Sequence, residues 1–261
     1  MQQSVIITGG ANGIGLYSAK HFASLGLNIG LVDQNSEKLK EAVSLIQSAY
    51  NVKCNPYVVN VSDEGESRSA FDQILAEMKD PLLLFNNAGI MPRQVGSIEE
   101  LPLEHFKEML SIHLNGTFIW SKLAVPLMKE RGFGRIVNMS SFMGITGSPF
   151  RLDYVTAKAG IAGMTRGLAT ELARFGITVN AIAPGFVLTE TLQERVKKGY
   201  IDSVKISERT PVGRWATPDE ISNAVAFLMS EKSGYITGQI LPIDGGTAMS
   251  LLVGENIGPL S

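Results

Sequence analysis

The chain has 261 residues, 44% of them hydrophobic, which is enough to bury a large core. Its 23 Lys and Arg against 25 Asp and Glu leave a formal net charge of −2 with no basic stripe, which excludes nucleic acid and anionic membranes as expected partners. A single cysteine, Cys54, excludes a disulfide framework and a paired-thiol metal site; with no apolar run of about 18 residues and no charged-then-apolar leader, a water-soluble cytoplasmic protein is expected.

The first apolar, β-branched run, residues 4–8, reads as a strand and opens directly into a glycine turn, Gly9, Gly10, Gly13 and Gly15, followed by a helical pattern with Ile14, Phe22 and Leu25 inward. Such a turn brings a helix start, with its unpaired N–H groups and positive dipole end, against a phosphate pair. The spacing G-x-x-x-G-x-G differs from G-x-G-x-x-G, so the turn is built differently. The next strand, 28–33, delivers Asp33 twenty residues after Gly13. A carboxylate there accepts from both adenosine ribose hydroxyls and repels a 2′-phosphate, which points to NAD over NADP; the neutral Asn12 and Gln34 agree. A helix over 36–50 is predicted with Leu39, Val43 and Ile46 on one face, then a strand at 57–61, a helix marked by Phe71, Ile74, Leu75 and Met78, and a strand at 82–85.

That fourth strand is too apolar to have a wet face, so helices should cover both sides of a parallel sheet. It ends in Asn86, Asn87, Ala88 and Gly89, where small residues admit a ligand close to the backbone; the Asn side chains serve either as ties between strand ends or as ligand contacts. Two helical stretches near 104–130 precede a strand at 135–139, which ends at the hydroxyl of Ser141, an anchor for substrate oxygen. On the helix predicted over 154–174, Tyr154 and Lys158 share one face, so the ammonium is expected to favour the phenolate and bring a hydroxyl that titrates near pH ~10 toward useful base strength. A strand at 177–183 follows, then Pro184, Gly185 and a polar stretch over 189–212, either a mobile lid or an ordinary amphipathic insertion. Thr217, Pro218 and Glu220 form a helix start with a capping box, and a strand at 239–243 closes the pattern. The expectation is one α/β domain over 1–261, a doubly wound sheet of about seven strands with helices on both faces, carrying a lid-like segment at about 189–212 and a tail at 247–261.

These residues resemble the short-chain dehydrogenase/reductase family in its form of about 250 residues. The resemblance rests on the run from Thr8 to Gly15, Asn86 to Gly89, Ser141, Tyr154 with Lys158, Pro184 and Gly185 with Thr189, and Ile236 to Gly246, in the family's order. It implies a nicotinamide-dependent oxidoreductase on an extended Rossmann domain. It also implies NAD contacts at Gly9, Asn12, Gly13, Ile14, Gly15, Asp33, Asn60, Val61, Asn87, Ala88, Gly89, Tyr154, Lys158, Pro184, Gly185, Val187 and Thr189, the last on the nicotinamide carboxamide, with no metal. The chain departs from the pattern twice. His113 stands where the family usually has an Asn that anchors a water linked to the catalytic Lys, and is expected to serve in a modified relay that titrates near pH ~6–7. Asn60 stands where an acid near the adenine is common, keeping a carbonyl acceptor.

The expected activity is hydride transfer between NAD and a secondary alcohol or ketone, a polyol, sugar or small hydroxy ketone, with Tyr154 as general acid or base, Ser141 on the substrate oxygen, and Lys158 on both the phenol and the nicotinamide ribose. A 3-oxoacyl-(acyl-carrier-protein) reductase is second; it favours NADP and a basic docking surface near 116–130, where Lys122 is the one cation of the segment 118–122. A nicotinamide-binding sensor without turnover is third. Arg151 would pair with a substrate carboxylate, with Asp153 or with water, the last two being preferred. The family is typically dimeric or tetrameric, and the apolar helices at 104–130 and 154–174 suit such an interface.

Overall fold

Short β-branched runs separated by helical stretches leave each strand's neighbour a crossover away, so the strands pair in parallel. A computed structural model, which describes residues 3–93 and 95–250, places β1 (Ser4–Thr8), β2 (Asn28–Asp33), β3 (Cys54–Val58), β4 (Leu83–Asn86), β5 (Gly134–Met139), β6 (Ile177–Pro184) and β7 (Ile240–Ile243) in one sheet. The order is β3-β2-β1-β4-β5-β6-β7, every pairing parallel. The helices are α1 (Gly13–Ser24), α2 (Ser36–Ala49), α3 (Glu64–Glu77), α4 (Leu103–Leu110), α5 (Gly116–Arg131), α6 (Met143–Thr146), α7 (Leu152–Leu172), α8 (Glu190–Lys197), α9 (Ser203–Arg209) and α10 (Pro218–Met229).

Alternation along β1 shows how the two faces fill. Val5 and Ile7 join a core with Phe22, Leu39, Ile46 and Val225, while Ile6 joins the opposite core with Phe71, Trp120, Met128 and Leu172. Each such side chain is worth about 1.5–3 kcal/mol when fully buried. No helix among the described residues is long and apolar enough to cross a membrane. The predicted capping box forms: Thr217 accepts from the Glu220 N–H, and Glu220 accepts from the Thr217 N–H at 2.8 Å. Bidentate pairing with Arg214 holds the Glu220 carboxyl down at about 2.

Several boundaries move. The third strand is Cys54–Val58, not 57–61; it is an edge strand paired only to β2, which is where a Pro56 without an N–H is tolerated. Leu25 is 58% exposed, because α1 ends at Ser24 and the chain reverses at Gly26, and Leu75 is also exposed on α3. The two stretches at 104–130 are one helical path, α4 and α5 joined by a π-turn over Ser111–Asn115. The polar stretch at 189–212 folds into α8 and α9, and the tail from residue 251 lies outside the described residues.

Strand order reverses at β1, flanked by β2 and β4, so the crevice for a ligand opens at the carboxyl ends of these strands. Polar side chains lock those ends. Asn87 donates to the Thr8 and Gly9 carbonyls at 3.1 and 2.9 Å, and Asn86 donates to Asn138, which donates in turn to Thr165 on α7. Asn86 and Asn87 therefore tie strand ends together.

Candidate active site

The glycine turn is tight for a steric reason. A Cβ on Gly9, whose φ is +64°, would stand 2.7 Å from Ala88 Cα, and one on Gly15 would stand 2.1 Å from the Gly9 oxygen. Bare backbone at both positions lets the start of α1 press against the turn and face the crevice. Asn12 caps α1 in an extended conformation without spending its side chain on the helix, which leaves the first-turn N–H groups directed outward. At the end of β2, the Asp33 carboxylate accepts from Ala11 N–H at 3.2 Å and from Asn35 N–H at 3.0 Å, which fixes it at the lip of the turn. Asn60 and Val61 line a recess of about 60 Å³ beside Gly9, Asp33 and Ala88. The Asn60 carbonyl expected to replace an acid is already taken by Ser62, whose N–H and hydroxyl donate to it at 3.1 and 2.8 Å, so the side chain serves its own turn.

From Asp33 a cleft of about 680 Å³ runs to Trp215. Asn12, Gly13, Ile14, Asn87, Gly89, Pro184, Gly185, Val187 and Thr189 line it, and so do Ser141, Tyr154, Lys158 and His113. Of the sequence-predicted set, Gly15 alone lies behind the wall, packed on Gly9. Reasoning from sequence missed Lys38, which lines the same cleft as Asp33, and Trp215, which meets Phe186 edge-on at 5.8 Å while Phe186 packs on Phe142 at 5.2 Å. Nothing in the local pattern flags either residue; both reach the cleft through tertiary packing.

Lys158 sits one turn below Tyr154 on α7, buried, with Nζ donating to the Met139 carbonyl at 2.7 Å and lying 5.6 Å from the Tyr154 ring centre. Burial pulls its pKa down to about 7. The expectation that this cation acidifies the phenol is not met here. Burial raises the Tyr154 pKa, and what opposes it is a hydrogen bond with Ser141 and the charge of Arg151. The physical reason is aim: the ammonium is drawn to a strand-end carbonyl and over the ring face instead of to the hydroxyl.

His113 is placed by the π-turn. The ring is 2% exposed, meets the Tyr154 ring edge-on at 5.7 Å, and sets Nε2 within 3.0 Å of Ile90 N and 2.9 Å of Ile90 O; Nδ1 has no hydrogen-bond partner among the described residues. Gly89 is bare because a Cβ there would fall 2.2 Å from the His113 Cε1. Burial, then the charge of Lys158, drives the imidazole pKa down to about 3, so the titration expected near pH 6–7 does not occur: the ring is neutral across the physiological range. Arg151 makes no ion pair with Asp153; the Asp153 carboxylate is buried and accepts from the Tyr154 N–H at 2.7 Å.

Comparison with known proteins gives the family. A family profile described as enoyl-(acyl carrier protein) reductase matches residues 9–248. The 3-oxoacyl-[acyl-carrier-protein] reductase FabG of Aquifex aeolicus is 35% identical over 244 residues, covering 92% of this chain and 95% of that protein. Among solved structures, ElxO with NADP bound superposes with a TM-score of 0.91 at 32% identity, covering 96% of this chain and 100% of that one. A crystal structure from Agrobacterium tumefaciens described as a candidate gluconate dehydrogenase gives 0.89 at 30% identity, covering 96% and 97%. With a family profile matched across most of its length and relatives of like size and fold, the chain belongs to the short-chain dehydrogenase/reductase family of oxidoreductases.

Proposed function

We propose that this protein transfers a hydride between a nicotinamide dinucleotide and the carbon of a secondary alcohol or ketone, with Tyr154 giving or taking the hydroxyl proton. The observation that carries the reading is the convergence of Ser141, Tyr154 and Lys158 on the cleft that begins at the glycine turn. The cradle suits a dinucleotide: Cβ atoms are excluded at Gly9 and Gly15, the start of α1 faces the crevice, and a fixed carboxylate stands at its lip. The dinucleotide supplies the hydride donor or acceptor. The chain's own residues do the rest. The turn and α1 hold the pyrophosphate, Asp33 accepts from the adenosine ribose, Thr189 holds the carboxamide, Lys158 reaches the second ribose, and Ser141 holds the substrate oxygen in reach of the Tyr154 hydroxyl. Neutral His113 takes no proton in this scheme and steadies the Tyr154 ring.

Asp33 supports NAD as the coenzyme, since its charge repels a 2′-phosphate; ElxO, by contrast, holds NADP. For the substrate, the named relatives weigh toward a 3-oxoacyl compound ahead of the polyol or sugar placed first from sequence. The aromatic wall of Phe142, Phe186 and Trp215 is on the same side, because it offers an acyl chain an apolar bed. The protein is proposed to work in the cytoplasm as a dimer or tetramer, with half-exposed Phe118 on α5 supporting a subunit contact.

The test is Tyr154→Phe, assayed by NADH or NADPH absorbance at 340 nm with ethyl acetoacetate and acetoacetyl-coenzyme A. Loss of the proton-transfer group should lower kcat by ~10²–10⁴-fold while coenzyme affinity is kept. Near wild-type turnover in the variant would show that another group moves the proton.

A further inference from the structure

Two arginines to which the hydride-transfer reading gives no ligand line the cleft. Arg151 immediately precedes α7 and Arg195 lies on α8; both line the cleft together with Ser141 and Tyr154. Two carboxylates close to them in sequence are directed elsewhere. Asp153 is turned to the Tyr154 N–H, and the Tyr17 phenol has its pKa raised by burial and then by the charge of Glu190, on the same helix as Arg195. Among the described residues neither arginine has an ion pair, whereas Arg93, Arg131 and Arg214 are each paired with a carboxylate. The one carboxylate that lines the cleft among those residues is Asp33, at the adenosine end.

Charge balance then decides what the substrate half can hold. A neutral ligand covering two unpaired guanidinium groups strips water from them and returns no acceptor, which is unfavourable. Carboxylate or phosphate oxygens accept the planar fork of N–H donors and restore what is lost, often in bidentate fashion. Arg151 is also close enough to Tyr154 for its charge to act on the phenol, so an anion bound by Arg151 lies within reach of the reacting centre.

We propose that the cleft takes an anionic substrate, an oxo or hydroxy compound whose carboxylate or phosphate oxygens are held by Arg151 and Arg195 while its carbonyl lies at Tyr154. This rests on the hydride-transfer reading of the same site. The anion has two chemical sources: the carboxylate of a free oxo acid, or the phosphate of the arm that carries a thioester.

The full-length protein, saturated with NAD or NADP so that the oxo probes bind without being reduced, is titrated calorimetrically with two matched pairs. Acetoacetate is set against ethyl acetoacetate, and acetoacetyl-coenzyme A against the acetoacetyl thioester of N-acetylcysteamine. The expected result is that the anionic member of one pair binds at least about tenfold tighter than its neutral counterpart, and that Arg195→Gln and Arg151→Gln each shrink the ratio toward one. The acid and ester pair assigns the carboxylate, and the thioester pair the phosphate. Thermal midpoint and coenzyme affinity show that the variants are folded. Equal binding within both pairs, or a ratio that survives in both variants, overturns the proposal. Turnover at 340 nm is scored separately: turnover without charge preference sinks this inference alone, whereas charge-dependent binding with no turnover of any probe sinks the hydride-transfer reading.

Discussion

Replacing Gly89 by Ala tests the link between the cleft floor and His113. The added Cβ would lie 2.2, 2.7 and 3.1 Å from Cε1, Nδ1 and Nε2 of the imidazole, where unstrained contacts need about 3.5–4.0 Å. The ring must retreat by more than an ångström, which also breaks the contacts of Nε2 with the Ile90 backbone at 3.0 and 2.9 Å. Overpacking of this kind costs about 1–3 kcal/mol. The lost hydrogen bond adds about 0.5–1.5 kcal/mol. The variant should therefore lose about 2–4 kcal/mol, moving a urea midpoint by about 1 M if the slope is near 3 kcal/mol/M. Removing the obstacle gives the decisive comparison: in Gly89→Ala with His113→Ala, the new methyl enters the volume the imidazole vacates. The double variant should be more stable than the sum of the two single losses by about 1–3 kcal/mol, measured by urea unfolding at fixed protein concentration. Additivity to within about 0.5 kcal/mol would refute the idea that Gly89 is bare to make room for His113.

Two further outcomes follow from the same geometry. Asp33→Asn keeps a carbonyl for the Ala11 and Asn35 N–H groups but removes the charge, so the ratio of kcat/KM with NAD to that with NADP should fall by at least about tenfold; an unchanged ratio would take coenzyme choice away from Asp33. Lys158 has a folded pKa of about 7 against an ordinary 10.5, so between those limits the unfolded chain holds a proton the folded chain has released. Below the lower limit both states are protonated and the full cost of burying the charge is present; stability then rises with pH, by up to about 1.4 kcal/mol per unit. Lys158→Met should flatten that rise in coenzyme-free protein unfolded by urea between about pH 7 and 9, and an identical slope in both proteins would contradict the assignment.

What was legible in the sequence is what repeats locally. The glycine turn, Asp33 at the close of β2, the capping box at Thr217 and the one-turn spacing of Tyr154 and Lys158 each follow from constraints a few residues long, and the structure places each of them as read. The failures share a cause: each depends on an environment assembled from distant segments. Spacing puts Lys158 beside Tyr154, but only the position of the Met139 carbonyl says where the ammonium points. The type of residue 113 suggests a titration in the neutral range, but burial beneath Ile90 and beside Lys158 abolishes it. Pro56 disqualifies a central strand but not an edge one, and edge status is a property of the whole sheet. Trp215 enters the cleft through packing on Phe186, which no window of sequence contains.

The wide turn at 111–115 bears on how this chain tolerates changes of length. A π-turn holds one residue beyond what the regular pitch accommodates, and here the surplus is absorbed before Trp120 and Leu123 pack inward. Deleting one residue from those five would let the segment relax into an ordinary helix while the downstream side chains kept their facing. The same deletion a turn later would rotate the remaining ridge by about 100° and swing its tryptophan toward solvent. A one-residue deletion in this stretch of the chain therefore has its cheap location at 111–115, which is also where the imidazole is set edge-on to Tyr154.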